Sequence, residues 1–330
     1  MALQKNTSSV TSIKLKHQEG KFSFKKFRAQ AWMQLFVLIG MVYIILFNYV
    51  PMVGIIIAFK EFKLASGIAG FFTSRWVGLY HFNAFFNDIN FGIIMRNTIV
   101  ISLLKLIFTF PIPILFAVAL NEIRNVRYKK IVQTVSYLPH FISWVVVSGL
   151  LFSFLNEQNG LINQLLILFG ITDKSVSFLS EPIYFWPIVV ISDIWKGMGW
   201  WAIIFIAAIT GVDPGLYESA IVDGASRLKR IWYITLPSIK GTIIIILILA
   251  IGNLFQGGLG GSNFQQSYLL GNPVNYNSSE IIDTYLLRVG LAQGRFSFAA
   301  AIGLLQSIIS VILIYFSNFA AKKVSGASLF

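Results

Sequence analysis

Three side chains that could do chemistry lie in one apolar stretch of the sequence. Asp193, Lys196 and Trp200 fall at positions i, i+3 and i+7, which places them on one stripe of a helix. A carboxylate and an ammonium group are costly in apolar surroundings and normally face a bundle interior or an aqueous cavity. Two readings stay open. Asp193 and Lys196 pair with each other and lock helices together, or the stripe borders a path for a polar molecule.

The neighbouring polar and aromatic residues indicate which molecule such a path would carry. Trp195 and Trp200 offer flat apolar faces, and Asn253 and Gln256 offer amide groups at i and i+3 of a later apolar stretch, at a similar depth. Sugars are recognised by this combination of hydroxyl-directed hydrogen bonds and aromatic platforms. The alternative is that these side chains have a structural role only and pack helices against one another.

Other kinds of chemistry find little support in the sequence. The chain has no cysteine, and His17, His81 and His140 stand far apart, without the spacing of metal ligands. The glycine run 257–261 has no lysine and no following Ser or Thr at the spacing of a phosphate-binding loop. We therefore expect no metal, no cofactor and no ATP bound by this chain, and no converging catalytic groups.

Composition identifies the class of protein. Of the 330 residues 56% are hydrophobic and only 12% are charged, and the mean hydropathy is +0.74. A net charge of +13 would suggest nucleic acid in a soluble chain. Here most basic residues flank apolar stretches, so we predict a membrane protein that binds no nucleic acid.

The apolar stretches predict an all-α membrane protein with six transmembrane helices. A basic tail over 1–29 precedes a transmembrane domain over 30–323, and a short tail over 324–330 follows. With the N-terminus inside, 17 Lys and Arg residues lie inside against six outside, which predicts that both termini are cytoplasmic. The spans are predicted at about 31–59, 97–120, 131–154, 185–209, 239–259 and 298–321.

One polar segment between two spans looks ordered. Asp213 followed by Pro214 is typical of a helix start, and Gly224 stands where a left-handed helix stop belongs. A second helix is predicted to begin at once and to end at Pro237. By itself this pattern also fits an amphipathic connector lying on the anionic headgroups of membrane lipids.

The spacing within this segment resembles the EAA signature of permeases in binding-protein-dependent ABC importers, the loop that docks into a cleft of the ATPase. Ser219 stands where that family usually has a second alanine. The ATPase-coupling positions that the resemblance implies are Glu218, Ser219, Ala220, Asp223, Gly224, Ala225, Arg227, Ile234, Leu236 and Pro237.

Further motifs resemble the polysaccharide-transport (LplB-like) branch of these permeases, and the likeness covers about residues 30 to 323. They are Ser74-Arg75-Trp76-Val77-Gly78-Leu79, residues 137–144 (YLPHFISW), residues 281–285 (IIDTY), residues 288–291 (RVGL) and residues 299–303 (AAAIG). The apolar pattern over 281–289 predicts a short helix that either packs on the bundle or meets a binding protein.

The resemblance implies half of a type I importer with the MetI-like permease fold, in a bacterial cell membrane. Its expected partners are a second homologous permease, two ATPase subunits that bind ATP and Mg, a periplasmic or extracellular sugar-binding protein and an oligosaccharide substrate. An ion-coupled secondary sugar transporter is the alternative, but it would need buried coupling carboxylates. Asp193 is the one acidic residue within the core of a predicted span, which weighs against that alternative.

Overall fold

A computed structural model describes residues 30–326. The predicted basic tail over 1–29 and residues 327–330 of the predicted C-terminal tail lie outside the described part. The chain divides into two compact units, Met1–Gly54 and Ile55–Phe330. Within the described residues the regular structure is helical, apart from one isolated antiparallel bridge between Lys60 and Trp76.

Fifteen helical segments, α1 to α15, order the described chain. They are, in sequence, Ala31–Phe59, Ala69–Thr73, Tyr80–Phe86, Phe91–Asn121, Val126–Phe141, Trp144–Phe154, Leu161–Leu168, Pro182–Thr210, Pro214–Val222, Arg227–Ser238, Lys240–Gly252, Asn263–Leu270, Tyr276–Ser279, Ile282–Leu287 and Phe296–Ser325. One-turn 3-10 helices over Leu64–Ser66 and Leu254–Gln256, and a π-helical turn over Arg288–Ala292 that continues α14, complete the regular structure of the described residues.

Four of these helices, α1, α4, α8 and α15, are long and apolar enough to cross a membrane. Two bent pairs pass the same test together, α5 with α6 and α10 with α11, so the described residues hold four to six candidate spans. The prediction of an unbroken third span over 131–154 is wrong. The chain turns by 99° at Ile142, where Ser143 caps α6 by accepting a hydrogen bond from the Val146 N–H.

The predicted fifth span is also shorter than expected. Helix α11 ends at Gly252 rather than continuing to Leu259, and a 62° bend separates it from α10. The chain then makes the 3-10 turn and enters the glycine run, in which Gly257, Gly258 and Gly261 have positive φ. Such backbone is inaccessible to most residues, so the run forms a turn at the depth where a helix was predicted.

Three prolines, in α1, α4 and α10, follow a common pattern, whereas Pro187 lies inside α8 without it. Three five-residue π-helical turns, Ile45–Tyr49, Lys105–Thr109 and Ile231–Thr235, each end two residues before a proline. A proline ring clashes with the carbonyl one turn earlier, and the wider π turn relieves that clash. The helices therefore continue through Pro51 and Pro111, whereas α10 ends at Ser238, one residue after Pro237, so the helix breaks before the next span as predicted.

Helix α8 lies at the centre of the second unit. Its residues Ala202, Phe205 and Ile209 join a buried cluster with α4 and α11. It also approaches α5 closely, since a Cβ at Gly199 would lie 2.2 Å from the Ser136 carbonyl oxygen. Small residues allow such close contact between helices in a membrane.

The segment after the glycine run packs against the same bundle. Ile282, Tyr285 and Val289 are buried in a cluster with Phe85 of α3 and Phe298 of α15. Of the two uses predicted for residues 281–289, packing on the bundle is therefore the one that the structure shows. This contact buries the apolar face of α14.

Candidate functional site

The polar segment predicted to dock a partner folds as two short helices joined by a tight turn. The Asp213 carboxylate caps α9 by accepting a hydrogen bond from the Gly215 N–H at 2.9 Å, and Pro214 follows as the first helical residue. Gly224 has φ +73°, as the sequence predicts. The Ala225 N–H donates to the Ala220 carbonyl at 2.8 Å, which closes the helix end in the usual way for a left-handed stop.

We refer to residues 213–237 as the coupling loop, after its predicted role. The second helix of this segment starts at its own cap. Ser226 Oγ accepts a hydrogen bond from the Lys229 N–H, and the two hydroxyls of Tyr217 and Thr235 lie 3.0 Å apart, which ties α10 to α9. Pro237 lies inside α10, which ends at Ser238. The loop is thus an ordered unit rather than a flexible connector.

The coupling loop presents both charged and apolar side chains on its surface. Val222 is 87% exposed and Tyr233 is 79% exposed, which is unusual for large apolar groups without a partner. Of the predicted coupling residues, Ala220, Ala225, Ile234 and Leu236 are half-buried, and the exposed ones are Glu218, Ser219, Asp223, Gly224, Arg227 and Pro237.

The second candidate site is a buried polar network that joins three segments. The Lys105 ammonium of α4 donates to Ser262 Oγ at 2.7 Å and to Gln266 Oε1 at 2.5 Å. Ser262 Oγ in turn donates to Asp193 Oδ1 of α8 at 2.6 Å. The four side chains are at most 3% exposed. Lys105 and Asp193 are thus joined through one hydroxyl, away from solvent.

The glycine run is what allows this network to form. A Cβ at Gly260 would lie 3.0 Å from Asp193 Oδ1, which is tighter than an ordinary contact, so a side chain there would crowd the carboxylate. Asp193 Oδ2 is buried and has no hydrogen-bond partner among the described residues. One acceptor of this carboxylate is therefore available to a further donor.

The predicted direct pair between Asp193 and Lys196 does not form among the described residues. The Lys196 ammonium instead donates to the His140 carbonyl at 2.5 Å and lies 5.7 Å from the centre of the Trp144 ring. Lys196 thus holds the bend between α5 and α6, where the carbonyls near Pro139 lack helical partners. Each charge therefore links helices through a partner of its own, Asp193 through Ser262 and Lys196 through the His140 carbonyl.

The predicted aromatic and amide groups have different surroundings. The Trp200 ring stacks on His140 at 4.4 Å between ring centres, whereas Trp195 lines an apolar cavity of about 460 Å³ between α6, α7 and α8. Asn253 and Gln256 follow α11 instead of lying on it, and both are exposed. Whether they share one cavity with Trp200 stays a prediction.

Lys105, Ser262 and Gln266 are the members of the network that sequence reasoning did not select. A signal was available, because Lys105 lies inside a predicted span and a buried lysine needs an acceptor. Ser262 and Gln266 carry no such signal, since they follow the glycine run in what reads as a loop.

Comparison with known proteins identifies the family. Residues 109–325 match the family model described as "Binding-protein-dependent transport system inner membrane component". The chain belongs to this family. As a member it is a membrane subunit of a transport system and not an enzyme, as the sequence predicts.

Two Bacillus subtilis (strain 168) relatives of this family member match over nearly their whole length. Protein LplB is 42% identical over 91% of both chains. The polygalacturonan/rhamnogalacturonan transport system permease YteP is 43% identical over 96% of this chain and 95% of its own.

A solved structure shares both the fold and the sequence pattern. It is a chain of a bacterial ABC transporter involved in the import of the acidic polysaccharide alginate. The TM-score is 0.82 at 36% identity, and the match covers 91% of this chain and 98% of that one. The predicted MetI-like permease fold is thereby confirmed.

The left-handed turn of the coupling loop gives a first prediction. Gly224→Val should cost about 1 to 2 kcal/mol, because a side chain is strained at positive φ. The variant should insert normally yet lose coupled uptake and ATP hydrolysis, both measured per assembled complex. Gly211→Ala is the matched control, since Gly211 begins the same connection at φ −82°. Equal uptake by the two variants would contradict the role of the turn.

The buried network gives a second prediction. Lys105→Met should leave the Asp193 carboxylate without its cation and cost about 3 to 5 kcal/mol, seen as a lower yield and melting temperature. Adding Asp193→Asn to that variant should restore part of the loss. The control is Lys240→Met, which removes an exposed lysine at the start of α11. If the Lys105 and Lys240 variants melt alike, the network does not stabilise the fold.

Proposed function

We propose that this chain is one of two permease subunits of an ATP-driven importer for oligosaccharides or polysaccharide fragments. The observation that carries the proposal is the ordered, exposed coupling loop in a chain of the binding-protein-dependent family. Support for the substrate class comes from the relatives, because YteP is named for polygalacturonan and rhamnogalacturonan, and the solved neighbour imports alginate. The ion-coupled alternative has no support among these matches.

In the topology we propose, the bent pair α5 with α6 forms one span, and α11 with the turn that follows it forms another. This gives six spans over residues 30–323, with the tails 1–29 and 324–330 and the coupling loop, including α10, in the cytoplasm. The count of basic residues supports this orientation. In this topology the coupling loop faces the compartment that holds ATP.

The partners follow from the same proposal. A second homologous permease and two ATPase subunits complete the membrane complex, and ATP and Mg act through the ATPase. A sugar-binding protein delivers the substrate from outside. A second alginate transporter structure supports this, since it holds an alginate pentasaccharide-bound periplasmic protein and matches at 34% identity with a TM-score of 0.82.

Coupling would reach the membrane through α8. The coupling loop starts at Asp213, directly after α8 ends at Thr210, and α8 carries Asp193, Lys196 and Trp200. Because Tyr217 and Thr235 tie α9 to α10, a push on the loop moves both helices as one body. We infer that ATPase movement is passed along α8 to the bend between α5 and α6.

The substrate path remains our proposal for residues near this bend. Trp200 keeps part of its ring accessible, and Asn253 and Gln256 are exposed beyond the end of α11. Asp193 and Lys196 are buried, so in this proposal they position the helices that line the path and do not contact the sugar. Trp195 faces an apolar cavity that suits hydroxyl groups poorly. Trp200 and Gln256 are therefore the strongest candidates for contact with sugar.

The third prediction concerns assembly. A tagged copy of this chain, isolated from its native membrane, should carry one second permease and two ATPase copies, counted by quantitative mass spectrometry. The complex reconstituted with its binding protein should import glycan oligosaccharides, and this chain alone should hydrolyse no ATP. A fully active assembly of only this permease and an ATPase would contradict the heterodimer.

The fourth prediction concerns the path. Trp200→Ala and Gln256→Ala should keep assembly and basal ATP hydrolysis, yet reduce uptake about five-fold or more, because a lost stacking face or hydrogen bond costs roughly 1 to 3 kcal/mol. Trp32→Ala serves as the control, since this tryptophan of α1 is 77% exposed. If uptake per assembled complex is unchanged in both path variants, these side chains have a purely structural role and do not contact the sugar.

A further inference from the structure

The segment between the glycine run and α15 lines an open cavity that the proposed path does not use. Its volume is about 970 Å³, at the upper end of the range of roughly 300 to 1,000 Å³ that ligand sites occupy. The walls come from α12, α13 and α14, from the turns between them, from the π turn 288–292 after α14 and from Asn90. The residues that matter for recognition are Tyr268, Asn272, Tyr276, Glu280 and Arg288.

Tyr268 supplies an aromatic platform that is already held in place. Its ring is stacked with that of Phe264, with ring centres 5.5 Å apart and planes inclined by 17°. The residue is still 58% exposed. A ring that is supported on one side and open on the other is preorganised for stacking, so little side-chain entropy is lost when a ligand binds.

The charged groups of the cavity are a matched pair. Arg288 Nη2 lies 2.9 Å from Glu280 Oε1 and also donates to the Tyr276 hydroxyl. The Arg288 guanidinium lies 5.4 Å from the centre of the Tyr276 ring. These contacts use Nε and Nη2, which leaves the Nη1 donors without a partner among the described residues. The pair therefore offers a donor and an acceptor while its net charge is zero.

The walls are rigid enough to keep this arrangement. Asn275 Oδ1 accepts a hydrogen bond from the Asn272 N–H, and Asn272 Oδ1 accepts one from the Asn275 N–H. Both side-chain amides donate to the Leu179 carbonyl. Beneath them α14 is anchored by the Tyr285 hydroxyl, which donates to Asp88 Oδ2 at 2.6 Å. This bond and those from Asn90 outweigh the effect of burial and hold the pKa of Asp88 below its ordinary value.

We propose that this cavity is a second glycan subsite, which holds pyranose rings before they reach the membrane-embedded path. Tyr268 stacks on a ring face, and Arg288, Glu280 and Tyr276 bind its hydroxyl groups. Because the charges are paired, recognition is through hydroxyl groups and not through a carboxylate. The inference rests on the proposed function, since it takes glycans as substrates and residues 263–292 as the outer side.

The test uses the complete transporter in lipid nanodiscs without its binding protein. Saturation-transfer NMR reports whether xylotriose, a neutral probe, or trigalacturonate, an acidic one, contacts the complex. Xylotriose should receive saturation, and Tyr268→Ala should weaken its binding about five-fold. Tyr268→Phe should bind as the wild type does, because it keeps the ring.

The matched control is Tyr80→Ala, which removes a tyrosine that is 65% exposed and lies on α3, outside the cavity lining. Binding that is unaffected by Tyr268→Ala would overturn the proposal. So would loss of the second permease from the Tyr268→Ala complex, or failure of that complex to bind the binding protein when it is added back, because the cavity would then be a protein contact. Binding of trigalacturonate alone, abolished at high salt, would overturn the hydroxyl-based recognition.

Uptake separates this inference from the proposed function. If the wild-type complex imports glycans and Tyr268→Ala imports them equally well at low substrate concentration, the subsite is wrong and the permease function stands. If the reconstituted wild type imports no glycan while its ATPase is active, the proposed function itself fails.

Discussion

The fold depends on the cost of placing a lysine and an aspartate among apolar helices. An unpaired charge is costly there, and Lys105 and Asp193 are joined through the Ser262 hydroxyl. This requirement brings α4, α8 and the start of α12 together. Gln266 adds to it by donating to Ser192 Oγ and to the Val189 carbonyl, so α12 is hydrogen-bonded along α8.

The short helix α11 and the glycine run are consequences of that constraint. For Ser262 to reach the carboxylate, the chain has to turn back into the bundle, and an uninterrupted helix to Leu259 would carry it past. Gly257 and Gly261 supply the positive φ that the turn needs, and Gly260 supplies the close approach. The following helices then fold over the bundle and line the open cavity beside Tyr268.

The coupling loop follows α8 directly in the chain, so it is covalently linked to the helix that carries Asp193. Its helices are capped by their own side chains and braced by the Tyr217–Thr235 contact, so the loop is stable as a unit. In the proposed mechanism a rigid loop at the end of α8 would transmit displacement, whereas a flexible one would absorb it. The same helix carries Asp193 and Lys196, whose partners lie at the start of α12 and at the bend between α5 and α6. A movement of α8 would therefore change the contacts of both.

What the sequence determined by itself is the part of the structure that local rules and long patterns encode. The helix cap at Asp213, the left-handed stop at Gly224 and the apolar lengths of α4, α8 and α15 depend on neighbouring residues, so they could be predicted. The family resemblance rested on the same local spacing and was confirmed. These features include most of the coupling loop.

The tertiary structure decided what depends on distant partners. Asp193 and Lys196 share a helical stripe, yet their hydrogen bonds go to Ser262 and to the His140 carbonyl, which no spacing within α8 reveals. The π turns that carry helices through proline, the bend at Ile142 and the end of α11 at Gly252 also depend on packing, because each trades helical hydrogen bonds for contacts made elsewhere in the chain. A buried charge pairs with the polar group that lies nearest to it in space, and such groups come close together only when the helices pack.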